Sequence, residues 1–194
     1  AKYNNMKNLF LIVIFLFSLN IIAQKPCEYS VNVKDSIGIY KETKSAIVHE
    51  FIFGNTSKYV FFALALTDEM PSLTVQILQK SKDFLKVNCF NKNSRIFLQL
   101  ENNKVVTLIA SDQENCGAPV NDDLGFNNRI LSGTFLFLNG TIADLKTSPV
   151  STMRIKFSTE TQDYIFKKVL VSEMDQKTYS PGNYFIDYLP CIIN

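Results

Sequence analysis

Four acids, Asp112, Glu114, Asp122 and Asp123, fall within one polar stretch from Ser111 to Asn128, with Asn121 among them. Carboxylate and amide oxygens are the ligands a hard cation such as calcium takes. The spacing departs from the twelve-residue calcium loop, which alternates its ligands and closes on a glutamate. These four residues are therefore calcium candidates on residue type and not on motif. Two carboxyls facing each other across a cleft would instead suit glycoside hydrolysis. A solvated loop is the plainer reading of the same stretch.

His49 is the sole histidine and sits beside Glu50 in a β-prone run. Neighbours on a strand point to opposite faces, so the two are not a ready acid–base pair. A nucleophile–histidine arrangement would have to use His49, and no Gly-x-Ser-x-Gly elbow is present to hold a serine. The sequence therefore names no catalytic residue, and a non-catalytic protein is the favoured reading. The seven tyrosines beyond residue 24 would suit a sugar-stacking face or, more simply, a half-buried sheet.

Four cysteines, Cys27, Cys89, Cys116 and Cys191, lack Cys-x-x-Cys spacing, which argues against a zinc or redox motif. An even count in an exported chain suggests disulfides, with three pairings open. Cys89 and Cys116 lie equally far from the Asn102-Asn103 pair. If that pair is a hairpin turn, these two cysteines face each other and leave Cys27 for Cys191. Asn91-Lys92-Asn93 reads as a second turn that would interrupt one long ladder. Free buried cysteines are the alternative.

The elements that must position these residues are mostly strands. Ile96, Leu98 and Leu100 share one face, Glu101-Asn102-Asn103-Lys104 follows, and Val105 to Ala110 runs back. Asparagine tolerates the positive φ of a tight turn, so this is a hairpin. Met153, Ile155 and Phe157 alternate with Arg154 and Lys156, a strand with one wet face. Tyr59 to Leu66 is apolar on both faces and reads as central. Further strands are expected at Glu28 to Val33, Ala46 to Phe53, Phe84 to Phe90, Gly133 to Leu138 and Asp163 to Val171. Leu73 to Lys82 fits a strand or a short helix after Pro71. Thr141 to Lys146 fits a single turn. Ser180-Pro181 opens a short C-terminal helix with Tyr184, Phe185, Tyr188 and Leu189 on one stripe, stopped by Pro190. Many short strands with few helical turns predict a mainly β chain: an antiparallel β-sandwich or curled sheet with a short C-terminal helix.

The compartment is read from Leu9 to Ala23. Lys7 precedes nine apolar residues, Leu9 to Phe17, and Ala23 closes the segment. The core is too short to span a bilayer. A basic start, a short apolar core and a small final residue describe a signal peptide over residues 1–23, with 1–5 as an upstream extension before Met6. Pro26 and Lys25 before Cys27 disfavour lipid attachment. Removing 1–23 leaves 171 of the 194 residues, read as a single domain over 24–194. It also removes Lys2 and Lys7, leaving equal numbers of bases and acids. A balanced surface argues against nucleic acid, whose phosphates need a basic stripe.

Three pieces in order carry a resemblance. They are the Ile96 to Ile109 hairpin with its Leu-Glu-Asn-Asn-Lys turn, the Ser111-Asp112-Gln113-Glu114-Asn115-Cys116-Gly117 loop, and Asp144 to Ile155, a turn feeding a strand. With a leader ending Ile-Ile-Ala-Gln and a tail ending in a cysteine, the chain resembles uncharacterised exported β-rich proteins of Bacteroidetes. The resemblance implies export and a β-rich fold, and it implies no chemistry.

Together these features predict an exported protein of the periplasm or cell surface, not membrane-spanning once the leader is removed. Its expected role is non-catalytic binding or structure with an unknown ligand or protein partner. The alternative is a carbohydrate-active or calcium-dependent protein using the acidic loop 111–123. A subunit pairing through an exposed sheet edge is a third reading.

Overall fold

Period-two alternation carries through to the structure, a computed structural model describing residues 25–111 and 114–193. The leader segment 1–23 and Asp112 lie outside the described residues. The strands are β1 (Tyr29–Lys34), β2 (Ile39–Thr43), β3 (Ala46–Phe53), β4 (Thr56–Thr67), β5 (Met70–Ser81), β6 (Arg95–Leu100) and β7 (Val105–Ala110). They continue with β8 (Ala118–Asn121), β9 (Asn127–Phe137), β10 (Val150–Lys156), β11 (Thr161–Ile165), β12 (Leu170–Val171) and β13 (Thr178–Tyr179). One turn of helix, α1 (Ile142–Leu145), follows β9, and a 3-10 turn (Pro181–Asn183) leads into α2 (Tyr184–Ile192).

Eleven strands form one antiparallel sheet in the order β1-β2-β4-β5-β9-β7-β6-β10-β11. Two long strands organise it. One edge of β4 carries β3 and then β2, and one edge of β9 carries β8 and then β7. Where β3 gives way to β2, the Leu64 amide donates to Thr43 Oγ1 at 3.0 Å, so a buried side chain replaces the missing ladder bond. The sheet curls until β11 lies against β3 and β4, with Phe62 and Phe166 rings 6.0 Å apart, but it does not close into a barrel.

Residues directly opposite on neighbouring strands share a face. Leu64, Leu73 and Phe135 line up across β4, β5 and β9, as do Phe62, Val75 and Gly133. The Leu64, Leu73, Phe135, Phe62 and Val75 side chains are buried, with Leu98, Leu108 and Met153 closing the core from the other arm. Gly133 has a packing reason to be glycine. A Cβ there would stand 2.6 Å from Cδ2 of Phe90, whose ring is stacked on Phe157. Helix α2 seats Phe185 against Phe62 and Phe137, with ring centroids 5.9 and 6.2 Å apart.

The structure joins Cys27 to Cys191 and Cys89 to Cys116, consistent with the pairing favoured by the Asn102-Asn103 turn. The route to the second bond differs from a continuous ladder. Asn91 to Ser94 does turn, and an isolated Phe90–Asn115 bridge beyond it sets Cys89 beside Cys116. Gly117, at φ +72°, follows directly, and a Cβ there would stand 2.4 Å from the Ile130 carbonyl oxygen.

Three local expectations change and one open reading is decided. Phe84 to Phe90 is not a strand, because both edges of the preceding β5 are taken by β4 and β9. Only Phe90 finds a bridge partner. Leu73 to Lys82 resolves as strand β5, ending at Ser81. Asp163 to Val171 divides, since the sheet ends with β11 and the chain leaves to form the β12–β13 hairpin. Pro190 does not stop α2, which runs to Ile192. An interior proline costs a helix about 3 kcal/mol or more. Burial of Leu189 and Ile192 and the Tyr29 hydroxyl on the Cys191 carbonyl hold the last turn in place.

Candidate functional site

The inner face of the curled sheet changes character near one end. The last apolar tier runs Val60, Ile77, Leu131 across β4, β5 and β9, with His49 of β3 opposite Val60. One tier outward, Phe51, Lys58, Gln79 and Arg129 stand opposite one another on β3, β4, β5 and β9. The alternation that places Phe62 and Leu64 in the core thus places Lys58 on the same face. From the other arm, β11 contributes Gln162 and Tyr164, two residues apart and therefore on one face.

Between these strands lies an open groove of about 430 Å³, walled by Phe51 and Leu85 and floored by His49, Lys58, Gln162 and Tyr164. The side chains hold one another. Lys58 Nζ donates to Gln162 Oε1 at 3.0 Å, and the Tyr164 hydroxyl donates to the same oxygen at 2.8 Å. Lys58 Nζ also lies 5.8 Å from the Tyr164 ring centroid, a cation–π contact. The other end of Gln162 donates to Glu160, which in turn pairs with Lys86. His49 packs edge-on to Tyr164 at 5.1 Å.

Electrostatics follow from burial. Burial lowers the Lys58 pKa, partly offset by the nearby Glu160 charge. Burial also lowers that of His49, against a bond to the Ile165 backbone that favours the cation. The imidazole therefore stays neutral at neutral pH. Burial raises the Tyr164 phenol, so it remains a hydrogen-bond donor. The bond from Lys86 lowers the Glu160 carboxyl. Among the described residues, no ion pair reaches Lys58.

Sequence adjacency suggested His49 and Glu50 would part company, and they have different partners. Glu50 accepts from the Glu173 amide at 2.8 Å and from the Ser172 hydroxyl, tying the β12–β13 hairpin to β3. The imidazole is thus held by an aromatic ring and a backbone group. This arrangement orients a ring for contact; it does not supply the carboxylate that a triad histidine uses.

The calcium candidates are placed differently. Glu114 is exposed beside Cys89 and Cys116, the one such grouping at metal-ligand distance among the described residues. Its two sulfurs are already bonded to each other. Asp122 spends its carboxylate on its own turn, accepting from the Leu124 and Phe126 amides at 3.0 and 2.9 Å and from Asn128 at 3.2 Å. Lys80 pairs with it at 3.0 Å. Asp123 is exposed.

Sequence reasoning missed Lys58 and Gln162, and it had Tyr164 only as one of seven tyrosines that would suit a sugar-stacking face or a half-buried sheet. A signal was there: Lys58 continues the period-two series Val60, Phe62, Leu64, a charge on an otherwise apolar face. Two other concavities are more open in chemistry. A cleft of about 710 Å³ at the opposite end is lined by Met70, Pro71, Leu136 and Ile142. A groove of about 600 Å³ on the outer face runs past Phe97, Val105 and the Arg154–Asp163 pair. The first is lined mostly by apolar groups, and in the second the charged side chains Arg154 and Asp163 already satisfy each other, whereas the Lys58 groove holds a half-buried cation with no ion-pair partner among the described residues.

Compared with known proteins, the chain matches no family model, no curated protein and no solved structure. No helix among the described residues is long and apolar enough to cross a membrane, which says nothing of strands.

Proposed function

We propose that the protein is an exported, non-catalytic binding protein of the periplasm or cell surface, taking a small ligand in the groove between β3, β4 and β11. The observation carrying this reading is the tier of polar side chains, Lys58, Gln162 and Tyr164, fixed by mutual bonds at the floor of an open groove with an apolar wall. Concave sites with a few fixed polar groups among apolar ones are how proteins orient small ligands. Two disulfides suit an oxidising compartment, and the leader and the resemblance to exported Bacteroidetes proteins point the same way.

The sole histidine makes the test clean. Its imidazole NMR signal reports on the groove floor without interference from any other histidine. A small-molecule screen is expected to return compounds that shift this signal in saturable fashion. Compounds that bind saturably while leaving the His49 signal in place would move the site elsewhere and overturn the reading.

A further inference from the structure

We infer that the groove's ligand is a small organic acid, with one carboxylate seated on the Lys58 ammonium and a ring-sized body against Phe51 and Leu85. This deepens the proposed function and rests on the groove being the ligand site.

The argument begins with donors. An ammonium carries three N–H groups and no acceptor. Lys58 Nζ has Gln162 Oε1 as its hydrogen-bond partner and the Tyr164 ring face at longer range. Its side chain is half-buried, so the remaining donors face the groove rather than open solvent on all sides. A half-buried charge with donors left over is costly without a partner.

Charge counting points to the partner's valence. Asp163 also lines the groove, but Arg154 neutralises it through bonds to both carboxylate oxygens; the remaining charges, along one chain of bonds, are Lys58, Glu160 and Lys86. Glu160 is the only acid in that chain, and Lys86, Gln162 and Asn88 already engage it. Two cations and one anion leave a single positive charge, and it sits on Lys58. One carboxylate cancels it. A phosphate dianion would replace a deficit of one charge with an excess of one in the same partly dry place. Carboxylate oxygens can also accept the free donors at charge-assisted strength.

The walls describe the rest of the molecule. Phe51 and Leu85 offer apolar surface, and Gln79, Thr56 and Ser57 add hydrogen-bonding groups to the lining. A flat body with an apolar face fits that mixed lining, either an aromatic ring or a pyranose. The volume of about 430 Å³ sits near the small end for ligand sites.

The test is a titration of the His49 imidazole signal with two matched pairs, benzoate with benzyl alcohol and glucuronate with glucose, and with inorganic phosphate. In the wild-type protein, the acid of at least one pair is expected to bind at least about tenfold more tightly than its neutral partner, the scale of one charged hydrogen bond. Lys58→Met is expected to remove that preference. Lys58→Gln keeps a donor to Gln162 without the charge, and it should remove the preference too. It serves as the folded control if the methionine variant loses its native spectrum. A neutral partner binding as tightly as its acid would overturn the acid assignment and leave the groove reading standing. Phosphate binding more tightly than either acid would overturn the single-charge argument. Silence of the His49 signal towards every probe at millimolar concentration would sink both the inference and the groove.

Discussion

Opening the Cys27–Cys191 bond should destabilise the protein more than opening Cys89–Cys116, by a margin set by chain length. The two bonds close loops with sequence separations of 164 and 27. A cross-link restricts the unfolded chain, and the lost entropy grows with the logarithm of loop length, giving about 5 kcal/mol for the long loop and about 3.5 kcal/mol for the short one. The difference is about 1.5 kcal/mol, and nesting of the short loop inside the long one alters it by only about 0.2 kcal/mol. The native state should change little. Helix α2 is held by Tyr184, Phe185, Leu189 and Ile192, all buried, and by the Tyr29 hydroxyl bonded to the Cys191 carbonyl at 2.7 Å. The assay is urea unfolding of Cys27→Ala/Cys191→Ala and of Cys89→Ala/Cys116→Ala against wild type, with amide exchange of residues 184–192 followed in parallel. Equal losses, or a larger loss from the short loop, would refute the chain-entropy reasoning. Fast exchange along α2 under native conditions would show that the bond holds the helix down in the folded protein instead.

Other expectations follow from single side chains. Phe62 is fully buried and its ring meets Phe166, Tyr184 and Phe185. Phe62→Ala should cost about 3–5 kcal/mol in denaturant unfolding, whereas Phe53→Ala, at a side chain 77% exposed, should stay within about 0.5 kcal/mol of wild type. Bonds from the Phe126 amide, with Lys80, Asn128 and Leu124, hold Asp122 down at about 2 against an ordinary 3.8. A depressed carboxyl stabilises fully above its unfolded value and loses that contribution as pH falls towards the native one. Asp122→Asn should therefore be less stable than wild type near neutrality and converge with it between pH 3.8 and about 2. Burial lowers His49 below 6.5, so the unfolded chain takes up the proton first. Wild-type stability should fall as pH drops from 6.5 towards the native value, and His49→Gln should flatten that slope in thermal unfolding.

Much of the fold is legible because a strand's alternation is a local property of the chain. The β6–β7 hairpin turns where its asparagines stand, with Asn103 at φ +67°. Met153 and Ile155 of β10 are buried, while Arg154 and Lys156, which alternate with them, are exposed. The strand pairing is less legible. Phe84 to Phe90 has strand-like composition, but both edges of the preceding β5 are taken, whereas β8 forms inside a polar stretch because β9 offers it an edge. Partners, not propensity, separate the two.

The candidate site divides the same way. Sequence alone determined that His49 and Glu50 would face apart and favoured one pairing of the cysteines, since each depends on a period or a count along the chain; the same period carries Lys58 onto the face of Val60, Phe62 and Leu64, a signal left unread. Only the tertiary structure brought Gln162 and Tyr164, more than a hundred residues away, onto Lys58. It did so by curling the sheet until β11 met β4. That curl is set by the twist and packing of a whole sheet, which no short stretch of residues records.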